Sequence, residues 1–119
     1  MIKNKSFKIN QAAKNNLPDQ NSFLATKSIV KNIQTNVKPT DLVIFLVSGG
    51  GSALSCYPTQ DLQVQDINNL TKILMSYGAT IEEVNIVRQN LSQVQGGKLL
   101  GFLPEGTKSV SLILSDIIG

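Results

Sequence analysis

Two unbroken apolar runs and three stretches of helical spacing organise this chain. Asp41-Leu-Val-Ile-Phe-Leu-Val47 is continuously apolar and rich in β-branched residues. That pattern predicts a strand buried on both faces, the usual state of a parallel strand covered by helices. Val110-Ser-Leu-Ile-Leu-Ser115 predicts a second such strand, ending at Asp116. Between and before them the period changes. Asp19 can cap a helix running to about Ile33, with Phe23, Val30 and Ile33 as an interrupted stripe. Ile67, Leu70, Ile73, Leu74 and Tyr77 predict a second helix over about 66–77, with Gly78 at the position just beyond its end. Thr80-Ile-Glu-Glu83 is a capping box that opens a third helix, expected to reach about Gln95 and to stop at Gly96-Gly97. Phe7 and Ile9 suggest a short strand near the N-terminus, and Pro39 marks a loop before the first apolar run.

Two strands and three helices do not complete a doubly wound sheet, and strand edges this apolar need neighbours. The expected fold class is therefore α/β: an incomplete Rossmann-like domain with buried parallel strands flanked by helices. The simplest account of the inventory is a segment of a longer protein.

Composition narrows the chemistry. The 119 residues, 41 % hydrophobic and 16 % charged, suit one modest globular domain. No apolar run approaches the roughly 18 residues of a membrane span, so neither a membrane partner nor a secretory signal is expected. The formal charge of +3 is spread over scattered lysines with few aromatic residues, a poor footprint for nucleic acid. A single cysteine, Cys56, excludes an internal disulfide and fits a reducing compartment. The absence of histidine removes Ser-His-Asp and Cys-His nucleophile systems and any histidine-ligated metal.

Four places could carry chemistry. Ser48, Gly49, Gly50, Gly51 and Ser52 follow directly on the first predicted strand. Ligands of open α/β sheets bind beyond the carboxyl ends of the strands, where glycines let backbone amides approach an anion. The turn is neither a Walker A loop nor a dinucleotide fingerprint, since the required lysine and third glycine are missing. Anion binding and a plain strand-exit turn both remain open. Arg88 falls within the roughly 140° apolar arc of the third helix, with Gln95 beside it. Its guanidinium either snorkels or meets a carboxylate within the fold, or it grips an anion in a crevice. Asp116, at the end of the second strand, is either a cap or a carboxylate able to hold Mg²⁺ or accept a proton. Cys56 reads as a small packing residue.

Five segments in order carry a resemblance. Asn15-Asn-Leu-Pro-Asp19, Leu46-Val-Ser-Gly-Gly-Gly-Ser-Ala-Leu54, Gly78-Ala-Thr-Ile-Glu-Glu-Val-Asn-Ile-Val-Arg88, Leu91-Ser-Gln-Val-Gln-Gly-Gly97 and Leu112-Ile-Leu-Ser-Asp-Ile-Ile-Gly119 resemble the N-terminal domain of type II glycerate kinases, in particular their eukaryotic branch. The resemblance implies ATP- and Mg²⁺-dependent phosphorylation of D-glycerate to 2-phosphoglycerate, in a cleft between a Rossmann-like domain and a smaller C-terminal domain. On this reading residues 1–119 are part of the N-terminal α/β domain and the C-terminal domain is absent. Ser48 to Ser52 and Asn85 would bind substrate or phosphate, Arg88 and Asp116 would be catalytic, and Asp116 would be the candidate Mg²⁺ ligand. A cytoplasmic location is expected, a mitochondrial one being the alternative.

The resemblance also carries departures. A Gly-Lys-Ala turn found upstream in such enzymes is missing from these residues, and Gln95 stands where the family usually has lysine before the paired glycines. The chain by itself is therefore expected to have little or no kinase activity. The competing expectation is a non-catalytic anion- or nucleotide-binding module, or a truncated fragment whose apolar edges pair with another chain.

Overall fold

The structure, a computed structural model, describes residues 8–13, 17–48 and 55–114. In chain order these form helix α1 (Gln20–Asn36), strand β1 (Leu42–Val47), helices α2 (Val64–Ser76) and α3 (Ile81–Asn90), a 3-10 helix (Lys98–Phe102) and strand β2 (Lys108–Ile113). Together they make a mixed α/β unit with a small parallel sheet.

The helix starts follow their caps. Asp19 accepts a hydrogen bond from Ser22 N at 2.9 Å and opens α1 as the sequence predicts. The helix continues past Ile33 to Asn36, because the first break in helical backbone comes only at Val37, two residues before Pro39. Its buried face comprises Ser22, Ala25, Thr26, Val30 and Ile33, so small polar residues fill the gaps in the apolar stripe. The start of α2 lies two residues earlier than expected, at Val64, where Gln63 N donates to the Asp66 carboxylate at 2.8 Å. Gly78 takes a φ of +87° just beyond α2, a left-handed geometry that favours glycine. Thr80 and Glu83 form the anticipated capping box, with Thr80 N donating to the Glu83 carboxylate at 2.8 Å.

Three expectations are corrected. Residues 8–13 form no strand, and Ile9 is exposed; Phe7 lies outside the described residues. The third helix ends at Asn90 rather than at Gln95, well before Gly96-Gly97. Its backbone is diverted into an antiparallel contact with Tyr57–Thr59: Thr59 N donates to Leu91 O at 2.9 Å, Gln93 N donates to Tyr57 O at 2.8 Å, and Pro58 bridges Ser92. The carbonyls freed at the helix end are satisfied by Lys98, whose Nζ donates to Gln89 O and Ser92 O.

The third correction concerns the sheet. β1 and β2 do pair in parallel, with Leu42 opposite Lys108 and Val47 opposite Ile113. Leu114 N adds one more bond to Val47 O at 2.8 Å. The strands are not buried on both faces among the described residues. Leu46 is 77 % exposed and Ile113 71 %, and every residue of β2 is exposed. A two-strand ribbon leaves each strand one edge and much of both faces uncovered. The core lies instead among the helices and the 55–59 segment, around Val30, Cys56, Val64, Ile67, Val84 and Val94.

Candidate active site

Arg88 and Asn85 project from one side of α3, one turn apart. With Gln89 and Gln95 they line a small cavity of about 60 Å³. Arg88 also lines a second, tighter space of about 10 Å³ with Pro18, Cys56, Tyr57 and Leu91. Room of that size holds about one water. The guanidinium is half-buried, and its Nη2 is fully buried without a hydrogen-bond partner among the described residues. Buried polar atoms are nearly always paired. A buried guanidinium nitrogen with no partner among the described residues has room for one from solution, an anion or a water.

Cys56 reports on the same environment. Burial pushes its thiol above the ordinary range, while the positive charge of Arg88 opposes that shift. The thiol is thus held neutral, a packing group as the sequence suggests.

The loop beyond α3 supplies two residues that the sequence pattern did not single out, Ser92 and Gln93. Ser92 is buried, and its hydroxyl accepts from Val94 N at 3.2 Å and Gln95 N at 3.1 Å. Gln93 donates its side-chain amide to Pro58 O at 2.7 Å. Gln95 donates its own to Ser55 O at 2.9 Å. With the backbone bonds of Thr59 and Gln93, these clasp 55–59 to 91–95 and set Arg88 beside the segment that leaves the glycine turn. Ser92 was the available signal: a serine late in a helical stretch offers the backbone an alternative to the helix.

Ser48 is exposed at the end of β1, where it lines a broad apolar hollow of about 590 Å³ with Leu46, Val47 and Leu112–Leu114. No described residue is common to that hollow and the cavities around Arg88. The structure therefore brings together Asn85, Arg88 and Gln95, with Ser48 at a separate place on the sheet end. Gly49, Gly50, Gly51, Ser52 and Asp116 lie outside the described residues. Among the described residues no group of three or more acidic, cysteine or histidine side chains could hold a metal ion.

Comparison with known proteins sets this geometry in a family. A family model described as a domain of unknown function, DUF4147, matches residues 2–119. The chain belongs to the DUF4147 family. This DUF4147 chain is 39 % identical to the D-glycerate 2-kinase of Thermotoga maritima over 103 residues, covering 87 % of the chain and 24 % of that protein. It is 40 % identical to the glycerate kinase of Rattus norvegicus over 109 residues, covering 92 % of the chain and 20 % of the relative. The crystal structure of a glycerate kinase from Thermotoga maritima superposes with a TM-score of 0.83 at 37 % identity, covering 95 % of this chain and 27 % of that one. The resemblance to glycerate kinases read from the five motifs is borne out. The DUF4147 chain spans between a fifth and about a quarter of the length of these relatives.

Proposed function

We propose that this stretch forms one wall of a glycerate kinase cleft, in a Rossmann-like N-terminal domain. The reaction is transfer of the γ-phosphoryl group of ATP to a hydroxyl of D-glycerate, giving 2-phosphoglycerate and ADP. The observation that carries the reading is the buried Arg88 Nη2 with no described partner, in a chain 39–40 % identical to proteins named glycerate kinases. Phosphoryl transfer needs positioning and charge stabilisation more than covalent help from the protein, so a site without histidine is adequate.

On this reading Arg88 neutralises an anionic group, Asn85 hydrogen-bonds beside it, and the amides of Ser48 to Ser52 cradle phosphate or carboxylate. Mg-ATP supplies the transferable phosphoryl group. An Arg88 Nη2 with no partner among the described residues suits an anion, whereas those residues offer no cluster for Mg²⁺. Asp116 is the proposed ligand for that ion. The exposure of β1 and β2 favours a companion reading for the polypeptide by itself: it binds anions without turning over, because its sheet lacks cover.

A chimera tests the proposal. This chain replaces the corresponding stretch of the Thermotoga maritima D-glycerate 2-kinase, and phosphorylation of D-glycerate is assayed. The chimera should be active, and Arg88→Ala within it should lower kcat/KM on the order of a hundredfold, as for loss of one charge-stabilising donor. An inactive but folded chimera, or an Arg88→Ala chimera of undiminished activity, would overturn it. The 119-residue chain alone should give no glycerate-dependent ATP turnover.

A further inference from the structure

The cavity of about 60 Å³ bounded by Asn85, Arg88, Gln89 and Gln95 has an unusual charge content. Arg88 supplies one full positive charge, and the other three side chains are neutral amides. No acid lines it. Lys98, the nearest lysine in sequence, has its ammonium turned onto the carbonyls of Gln89 at 2.7 Å and Ser92 at 2.9 Å. A single guanidinium among amides balances a single negative charge. A triphosphate, with several, would be left largely uncompensated in a half-buried site.

Size agrees with charge. The cavity admits a few water-sized groups, since one water needs roughly 10–15 Å³ on this measure. A carboxylate fits that space, and its two oxygens match the guanidinium fork. The amides of Asn85 and Gln89 can both donate and accept, which suits a hydroxylated neighbour of the carboxylate, while Gln95 is tied to Ser55 O.

We infer that the Arg88 cavity takes the carboxylate of a small hydroxy monocarboxylic acid and is not a phosphate site. This rests on the kinase reading and sharpens it: the acceptor's carboxylate lies on Arg88, and phosphate binding falls to other elements, the glycine turn first.

Arg88 is the chain's single arginine, so its Nε–H gives one resonance. The ¹⁵N-labelled 119-residue chain is titrated separately with D-glycerate, methyl D-glycerate, inorganic phosphate and Mg-ATP. The Arg88 resonance should shift saturably with D-glycerate, while the methyl ester, phosphate and Mg-ATP leave it in place at the same concentration. Arg88→Lys keeps the charge but loses the fork. Its affinity for glycerate, read from backbone amide shifts that also report its folding, should fall about tenfold. Phosphate or Mg-ATP moving Arg88 as readily as glycerate would overturn the inference and leave the kinase reading standing. The same holds if glycerate shifts other amides while Arg88 stays still. If neither glycerate nor Mg-ATP shifts any resonance, the inference falls, and the kinase reading is decided by the chimera.

Discussion

Val84 has no exposed surface at all, and it is the apolar side chain around which α3 seats on the rest of the core. Removing two buried methyl groups there leaves a void as well as losing their transfer energy. Val84→Ala should therefore cost about 2 kcal/mol, read as a lowered midpoint in urea unfolding. Thr80 acts on the same helix from its end. Thr80→Ala removes one arm of the capping box and should cost about 1 kcal/mol in the same measurement. Cys56 adds a pH dependence. Its folded pKa is raised above the unfolded one, chiefly by burial, so the stability from keeping the thiol neutral is fully present below the ordinary thiol pKa of about 8.5. That contribution is lost as pH climbs from there to the raised folded value, because only the unfolded chain then releases its proton freely. Thermal unfolding followed from pH 7 to pH 10 should show this alkaline loss, and Cys56→Ala should flatten it.

At the scale of elements, Ser92 decides where α3 stops. Its buried hydroxyl satisfies two backbone N–H groups that the ended helix no longer serves. Ser92→Ala leaves both without that partner and should destabilise by about 2 kcal/mol, while also loosening the bond from Gln95 to Ser55. Paired loss of urea stability and of protection at the Val94 and Gln95 amides in hydrogen exchange is the expected signature. The clasp also explains what could be read from the sequence. The cap at Asp19, the box at Thr80 and Glu83, the glycine at 78 and the parallel pairing are each written locally or in apolar runs. The early end of α3 is not, because it depends on Tyr57–Thr59, more than thirty positions away, whose backbone competes for the same groups. The site divides in the same way. Arg88 within an apolar arc was legible from helical spacing. Gln95 as the tie to Ser55 was not, since the helix was expected to carry that residue on a continuing face.

The whole molecule is dominated by the exposed ribbon. Leu42, Ile44 and Leu46 on β1 and Val110 and Leu112 on β2 share one face, and all are exposed among the described residues. Apolar parallel strands with open edges associate. The 119-residue chain should sediment as a concentration-dependent mixture of oligomers. Replacing the cross-strand pair Leu46 and Leu112 by lysine should return it toward a monomer in sedimentation velocity, without loss of the helical circular dichroism signal. A chain that stays monomeric before any substitution would show that its own residues cover the ribbon.

The clasp between 55–59 and 91–95 also governs the order of assembly. β1 and β2 meet only after residues 48–107 have closed into a loop, and closure of so long a segment costs roughly 4 kcal/mol in chain entropy. Joining Tyr57 to Gln93 beforehand divides that segment, so the strands are brought together by two short arms around a preformed helical body. The sheet is then expected to be the last part to appear and the first to open, with amides of β1 and β2 exchanging faster than those of Thr59 and Gln93, while the cavity on α3 forms without the ribbon.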